Sequence, residues 1–262
     1  MAASRMSTLE EERYQSLDEV LASEQGSTVD KSKSLSFLSF VALLPSFIPG
    51  ALVLMAALML DAHVAPHATD IANYQDGPTI SAPLFPQTVD VNLLLVLAWG
   101  VPAVMIAFCC IVKRDLLLFH ISLIGLLETA AYVELLTTIL KKLAGALRPN
   151  FKNLCQWKEA LSRCTAPDDI INNARQSFPS GHSSNMAAGM CFLALFLHLI
   201  ACSRSGWGGS RAAAGPFAGP TTVGFLRAWC CCPPFCLFAW VAMTRVWDHY
   251  HRYEDVLAGS VV

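Results

Sequence analysis

LLLFHISLIGLLETAAYVELLTTIL, residues 116–140, is a long apolar run whose only acids are Glu128 and Glu134. A helix of this length rises about 37 Å, and roughly 20 apolar residues suffice to cross a bilayer. The run therefore predicts a membrane-spanning helix. Acids inside such a helix usually face a partner or a cavity. Glu134 lies seven residues before Lys141, on the same helix face, so we expect it to make an interhelical hydrogen bond or to contribute to catalysis.

The rest of the chain is similarly apolar. Of its 262 residues, 54% are hydrophobic and 15% are charged, which is too apolar for an ordinary soluble domain. We predict an all-α polytopic membrane bundle over residues 36–262, preceded by a polar cytosolic tail over residues 1–35. The other predicted spans are residues 36–60, 92–112, 182–202 and 225–246, with the start of a sixth at Asp255. Because the few residues after Asp255 cannot cross a bilayer, we expect the sixth span to be truncated here.

The charged residues exclude one class of partner and predict an orientation. A net charge of −2 without a basic stripe argues against nucleic-acid binding. Residues 61–91 contain no Lys or Arg, whereas Lys113 and Arg114 follow the second predicted span. Arg204, Arg211 and Arg227 lie between the fourth predicted span and the first turn of the fifth. This bias places the N-terminus in the cytosol. The loop from Lys141 to Gly181 breaks the rule with several basic residues, which suggests that some of these charges have a function outside the cytosol.

That loop begins with KKLAGALRPNF and ends with SFPSGHSSN. In PSGH, Gly181 lets the backbone approach a ligand, and the helix that follows offers free N–H groups to an anion. Lys141 and Arg148 are seven residues apart, so they share a face if the third helix continues, and they could then hold phosphate oxygens from one side. The alternative for this pair is interfacial snorkelling.

A third motif, TRVWDHYHRYEDV, covers residues 244–256. His251 and Asp255 are four residues apart, one helical turn, so the carboxylate could hold one imidazole nitrogen and leave the other free. A structural His–Asp pair is one alternative. A metal site is another, but His249 would point away on a helix, and no further ligands occur at suitable spacing.

Together, K-x6-RP at residues 141–149, PSGH at 179–182 and R-x5-H-x3-D at 245–255 resemble the three-part signature of the type 2 phosphatidic acid phosphatase superfamily. The similarity is greatest to the eukaryotic lipid phosphate phosphatases, as in GALRPNF, SFPSGHSS and DVLAG. Thr244 stands where many members have Ser. The resemblance implies six membrane helices, with all three motifs on the extracytoplasmic side.

The resemblance also implies residue roles. His251 would be the nucleophile, His182 the general acid, and Asp255 the residue that orients His251. The residues expected to bind the substrate phosphate are Lys141, Arg148, Pro149, Ser180, Gly181 and Arg245. Cationic side chains and a helix terminus can neutralise a phosphoryl group without a metal ion, so we expect no metal and no other cofactor.

The expected function is therefore metal-independent hydrolysis of a phosphomonoester on phosphatidate, lysophosphatidate or a sphingoid or ceramide phosphate, through a phosphohistidine. A diphosphate-lipid phosphatase, a lipid phosphotransferase and an inactive membrane scaffold are the alternatives. The expected partners are the lipid substrate and the membrane, and assembly with identical copies stays open. The expected location is the plasma membrane or the endoplasmic reticulum and Golgi.

Cysteines divide by side of the membrane in this topology. Cys155 and Cys164 lie in the extracytoplasmic loop, where oxidation is allowed, and their spacing makes a disulfide reasonable. The cysteines at the cytosolic ends could be palmitoylated, but apolar packing is favoured for most of them.

Overall fold

The computed structural model describes residues 44–71, 79–202 and 220–262, and these residues are predominantly helical. The predicted tail over residues 1–35 and the Gly-rich segment between the fourth and fifth predicted spans lie outside the described residues, apart from Pro220 at the end of that segment. The helices are α1 (Phe47–His63), α2 (Val91–Lys113), α3 (Leu116–Ala144), α4 (Phe151–Leu154), α5 (Asp168–Ala174), α6 (Gly181–Cys202), α7 (Pro220–Trp247) and α8 (Tyr253–Val261). Helix α2 contains a π-helical turn at Val96–Gly100.

Three of the described helices are long and apolar enough to cross a membrane: Val91–Lys113, Leu116–Ala144 and Gly181–Ile200. Helix α1 is apolar but has only 17 residues, and the part of the first predicted span before residue 44 is outside the described residues. Helix α7 begins at Pro220, five residues before the predicted start, and continues through Pro233 and Pro234. Helix α8 begins at Tyr253, two residues before the predicted start of a sixth span. The described part of the chain is thus a membrane helical protein.

Helix α6 is central and packs against α2, α3, α7 and α8. An apolar cluster joins α2, α6 and α7 around Ala98, Met186 and Val241. Gly189 allows the closest approach, because a Cβ there would overlap the carbonyl oxygen of Ala98. Small residues are common where membrane helices meet so closely. This packing fixes the end of α6 that carries the PSGH motif.

The loop between α3 and α6 is a small folded unit. Leu147, Phe151, Cys155 and Ala174 form its buried core together with Ile80, which comes from the segment between α1 and α2. The predicted disulfide between Cys155 and Cys164 is confirmed, with Cα atoms 5.1 Å apart. Since this loop connects α3 to α6, its internal packing sets the positions of both motifs that it carries.

Two of the basic residues that break the charge rule have structural partners. Lys142 is buried, and its Nζ lies 2.8 Å from the Asp61 carboxylate and 2.9 Å from the Asp61 carbonyl oxygen. Arg175 donates to the carbonyl of Thr69 at 2.9 Å. The first contact ties the end of α1 to the end of α3, and the second ties the segment after α1 to the loop between α3 and α6. The remaining basic residues include those near the candidate site.

Candidate active site

The PSGH turn and the last motif are in direct contact. The backbone N–H of Ser180 donates to the carbonyl oxygen of Asp255 at 2.9 Å. Gly259 of α8 lies against the same turn, because a Cβ there would overlap the Ser180 carbonyl oxygen. The start of α6 and the start of α8 therefore form one unit, and the predicted site residues of both motifs come together there.

His251 is 5% exposed and lies just before α8. Its Nδ1 is 2.7 Å from the carbonyl oxygen of Ser177. A carbonyl can only accept, so Nδ1 carries the proton and donates, and Nε2 keeps its lone pair in the neutral imidazole. The Asp255 carboxylate is 3.8 Å from Nδ1, beyond hydrogen-bond length.

The predicted closeness of His251 and Asp255 is present, but it does not come from a shared helical turn. Helix α8 begins only at Tyr253, so His251 lies outside it. Asp255 is at the third position of the helix, and its carboxylate accepts from the backbone N–H of Arg252 at 2.9 Å. This capping contact brings the carboxylate back towards His251.

The surroundings of His251 favour a neutral imidazole. Burial lowers its pKa to about 4, and the cations Arg148 and Lys141 act in the same direction, while the Asp255 carboxylate opposes them. Neutral imidazole is the form that has a nucleophilic lone pair. His251 is therefore ready to act as a nucleophile through Nε2 near neutral pH.

His182 is in the first turn of α6. Its Nε2 lies 3.1 Å from the carbonyl oxygen of Val89, so Nε2 donates and Nδ1 is the nitrogen left for a substrate. It is near enough to Arg245, His251 and Lys141 for electrostatic interaction. The segment before α2 thus orients the second histidine of the site.

Lys141 and Arg148 both reach the site, but not from one helix face. Helix α3 ends at Ala144, because Gly145 adopts a left-handed conformation with φ of 53°, which glycine allows at little cost. Arg148 therefore comes from the loop. Lys141 lies beside PSGH, since a Cβ built on Gly181 would be only 2.9 Å from its Nζ.

The guanidinium of Arg148 lies over the ring of Tyr250, with Cζ 5.5 Å from the ring centroid. Its Nε is buried and has no hydrogen-bond partner within the part of the chain that the structure describes. Burial lowers the pKa of Arg148 to about 10, so it stays cationic at neutral pH; nearby Arg245 acts in the same direction and Tyr250 opposes it. A cation with a buried, unpaired donor suits an anionic ligand.

Arg245 is 1% exposed and is fixed by three hydrogen bonds. It donates to Asp248 at 2.7 Å, to Gln87 at 3.0 Å and to the Thr244 hydroxyl at 3.2 Å. Asp248 also accepts from the backbone N–H and the hydroxyl of Thr88, both at 2.8 Å. These contacts of Arg245 use three of the five N–H groups of a guanidinium.

Ser180 and Pro149 are buried parts of the same framework. Ser183 Oγ and Ser180 Oγ are 3.2 Å apart, within hydrogen-bond distance, and the Ser183 backbone N–H is 3.5 Å from that same Ser180 oxygen. Pro149 has no N–H to offer, and its carbonyl accepts from Ala82 N at 2.8 Å. Pro149 can therefore affect phosphate binding only by positioning Arg148.

The intramembrane acid Glu134 makes an interhelical hydrogen bond, which is one of the two roles expected from its position. Asn185 Nδ2 donates to Glu134 at 3.2 Å, and Trp99 Nε1 donates to Asn185 Oδ1 at 3.1 Å. This polar chain links α2, α3 and α6 below the site. Glu128 lies instead where α1 crosses α3, and a Cβ on Gly50 would be 3.3 Å from its Cγ.

Several contributors were not predicted from the sequence. They are Ser177, Val89, Asp248, Thr88, Gln87 and Tyr250. Ser177 and Asp248 lie within the recognised motifs, so a polar side chain close to a motif residue could have identified them as candidates. The carbonyl of Val89 carries no such signal, since every residue has one.

Comparison with known proteins agrees with the geometry. A sequence profile of the PAP2 superfamily matches residues 122–262. The chain belongs to the PAP2 superfamily. The matched region contains all three motifs, with His182 and His251. Val89 and Gln87 lie before this region and also contribute to the site, through their contacts with His182 and Arg245.

Individual PAP2 relatives are distant. A PA-phosphatase related-family protein of Dictyostelium discoideum is 33% identical, over 70% of this chain and 59% of its own length. A protein named probable diacylglycerol pyrophosphate phosphatase 1 in Schizosaccharomyces pombe is 28% identical, over 57% and 52%. Lipid phosphate phosphatase 2 of Arabidopsis thaliana is 28% identical, over 63% and 57%. The chain thus spans less than two thirds of each of these relatives. No solved structure matches it significantly.

Proposed function

We propose that this PAP2 protein is a lipid phosphate phosphatase whose nucleophile is His251. The observation that carries the proposal is the state of His251. Its Nδ1–H is bound by the Ser177 carbonyl, its Nε2 is left for attack, and Arg148 and Lys141 are close enough to affect its charge. A neutral nucleophile among cations is suited to a phosphate ester rather than to an uncharged substrate.

In the proposed reaction, the cationic groups and the N–H groups at the start of α6 bind the phosphate oxygens. His251 Nε2 attacks phosphorus and forms a P–N bond, while the P–O bond to the lipid alcohol breaks. His182 in its cationic form gives the Nδ1 proton to the leaving oxygen. Water then attacks the phosphohistidine, neutral His182 takes up the water proton, and inorganic phosphate and free His251 result.

The proposed phosphate ligands are Lys141, Arg148, Arg245, Ser180 and Gly181, with Pro149 setting the position of Arg148. Two arginines supply fixed fork geometry, and the lysine supplies a point charge. Asp255 supports the turn that carries His251. The proposal needs no metal ion, because these groups can neutralise the charge of the equatorial oxygens.

Proposed substrates are phosphatidate, lysophosphatidate and sphingoid or ceramide phosphates. The proposed architecture is the six-helix type with the motifs outside the cytosol, in the plasma membrane or the endoplasmic reticulum and Golgi. Lipid phosphate phosphatase 2 of Arabidopsis thaliana carries the corresponding activity in its name, which supports this class of substrate.

The test is phosphate release from a panel of lipid phosphates by membranes containing the protein, with EDTA present. We expect release from at least one phosphomonoester in EDTA, and no release by His251→Ala. Full loss of activity in EDTA that is restored by magnesium would contradict the metal-free mechanism. No release from any lipid by the wild type would reject the proposed function and favour an inactive scaffold.

A second candidate is a diphosphate-lipid phosphatase, which the name of the Schizosaccharomyces pombe relative favours. Diacylglycerol pyrophosphate belongs in the panel for this reason. A higher kcat/KM for the diphosphate than for every phosphomonoester would select this alternative. Transfer of the phosphate to an added alcohol in preference to water would select a lipid phosphotransferase.

A further inference from the structure

Ser177 is fully buried between His251 and Asp255 and contacts both of them. Its carbonyl accepts from His251 Nδ1 at 2.7 Å, and its hydroxyl donates to Asp255 Oδ2 at 2.6 Å. Its own backbone N–H donates to the carbonyl of Ala146 at 2.9 Å. Ser177 is thus fixed on three sides.

The Asp255 carboxylate is held by donors other than the imidazole. Oδ2 accepts from the Ser177 hydroxyl at 2.6 Å and from the Arg252 N–H at 2.9 Å, whereas His251 Nδ1 is 3.8 Å away. Hydrogen bonds to a carboxylate are strongest when they are short and the donor is well aligned. The hydroxyl therefore holds Oδ2, the same Asp255 oxygen that lies 3.8 Å from the imidazole.

We propose that Ser177 is a positioning residue for the reaction: its carbonyl selects the His251 tautomer, and its hydroxyl holds the Asp255 carboxylate beside the imidazole and lowers the basicity of that carboxylate. This inference rests on the proposed function, since a nucleophile is positioned only for a reaction. Asp255 then acts on His251 both through its charge and through Ser177. Asp255 holds Ser177 and the start of α8, and Ser177 holds the nucleophile.

The charged groups around His251 explain why the hydroxyl matters. Asp255 faces it from α8, Arg148 from the loop after α3, Lys141 from α3 and His182 from α6. Of these four groups, only Asp255 favours the imidazolium form of His251. When the carboxylate loses the Ser177 hydroxyl, it becomes more basic, and a proton shared by Asp255 and His251 is bound more tightly. The pKa of His251 then rises from about 4.

The direct test is Ser177→Ala, which removes the hydroxyl and keeps the carbonyl. We expect kcat to fall about 10- to 100-fold, as for loss of one hydrogen bond to a charged group. KM should be unchanged, because no phosphate ligand is altered. The acid limb of kcat/KM should move up by about one pH unit, because the nucleophile is lost when His251 takes up a proton.

Two further variants distinguish loss of the hydroxyl from misfolding. Ser177→Cys has nearly the same volume and a weaker donor, so its kcat and its acid limb should lie between those of the wild type and Ser177→Ala. Ser122→Ala removes a buried hydroxyl from α3 about 28 Å along the helix from Lys141, and it should behave as the wild type. A wild-type acid limb and kcat in Ser177→Ala would overturn the proposal.

Nitrogen NMR of ring-labelled histidine provides a readout that does not need activity, with His251→Asn used to assign the signal. Wild-type His251 should have a protonated Nδ1 and a bare Nε2 at neutral pH, and Ser177→Ala should form imidazolium at higher pH than the wild type. The opposite tautomer, or identical titration in both proteins, would overturn the inference. An inactive wild type with the expected spectra would instead reject the proposed function alone.

Discussion

Arg148 is a half-buried cation whose buried Nε has no hydrogen-bond partner in the described chain. The ring of Tyr250 lies beneath the guanidinium, and the backbone N–H of Arg148 is fixed by the Ala174 carbonyl at 3.0 Å. Stacking suits arginine because its guanidinium is planar, and the same planar fork can bind two phosphate oxygens. The stacking and the binding of two oxygens both depend on the planar shape of the guanidinium as well as on its charge.

Arg148→Lys should therefore impair the proposed hydrolysis although the charge is kept. Lysine loses the fork and the stacked contact, so we expect KM for a lipid phosphate to rise about tenfold or more. Steady-state kinetics with the best lipid of the panel provides the measurement. Arg163→Lys, in an exposed turn of the same loop, is the matched control and should have wild-type kinetics. Equal KM values for both variants would show that Arg148 does not bind the phosphate.

At the level of helices, α8 determines the position of Asp255. It lies on the PSGH turn so closely that a Cβ at Gly259 would overlap Ser180 O and would come within 3.1 Å of Ser183 Cβ. The Ser180 N–H also donates to the Asp255 carbonyl. A shift of α8 would consequently move Asp255 and Ser180 together.

Gly259→Ala should separate α8 from the turn. Overfilling a tight contact costs about 1–3 kcal/mol, so we expect a lower Tm and a reduced kcat. Gly100→Ala in α2 is the control, because its Cβ would meet only Val96 Cγ1 at an ordinary 3.8 Å. Thermal unfolding in detergent and lipid phosphate hydrolysis should be measured on both variants. If Gly259→Ala matches Gly100→Ala in both, the close packing of α8 has no functional consequence.

The sequence predicted which elements would meet, but not how they would be joined. Apolar runs located α2, α3 and α6, and the resemblance of the three motifs to a family signature placed Lys141, His182 and His251 in one site. The four-residue spacing correctly predicted that Asp255 lies near His251. The contact arises, however, from the cap of α8 and not from a shared helical turn. The carbonyl partners of both histidines could not be predicted, because backbone groups of distant segments meet only after folding.

Across the whole molecule, the candidate site lies at one end of a helical bundle. Helices α3, α6, α7 and α8 each place a polar end there: Lys141, His182, Arg245 and Asp255. At the same end, the disulfide stabilises the loop between α3 and α6, and the Lys142–Asp61 pair joins the ends of α1 and α3. The apolar surfaces of α2 and α3 remain exposed, as expected for helices in lipid. A lipid in the bilayer could therefore present its phosphate to this end.

The transfer of phosphate to His251 tests this account most directly. Membranes with the wild type, His182→Ala or His251→Ala should be mixed with a radiolabelled lipid phosphate or aryl phosphate and quenched in base, which preserves phosphohistidine. We predict base-stable, acid-labile label on the peptide that contains His251. The label should accumulate in His182→Ala with the aryl substrate, whose leaving group needs no proton. Labelling of His251→Ala to the wild-type level, or hydrolysis by the wild type without any such label at the shortest times, would contradict the assignment of His251 as the nucleophile.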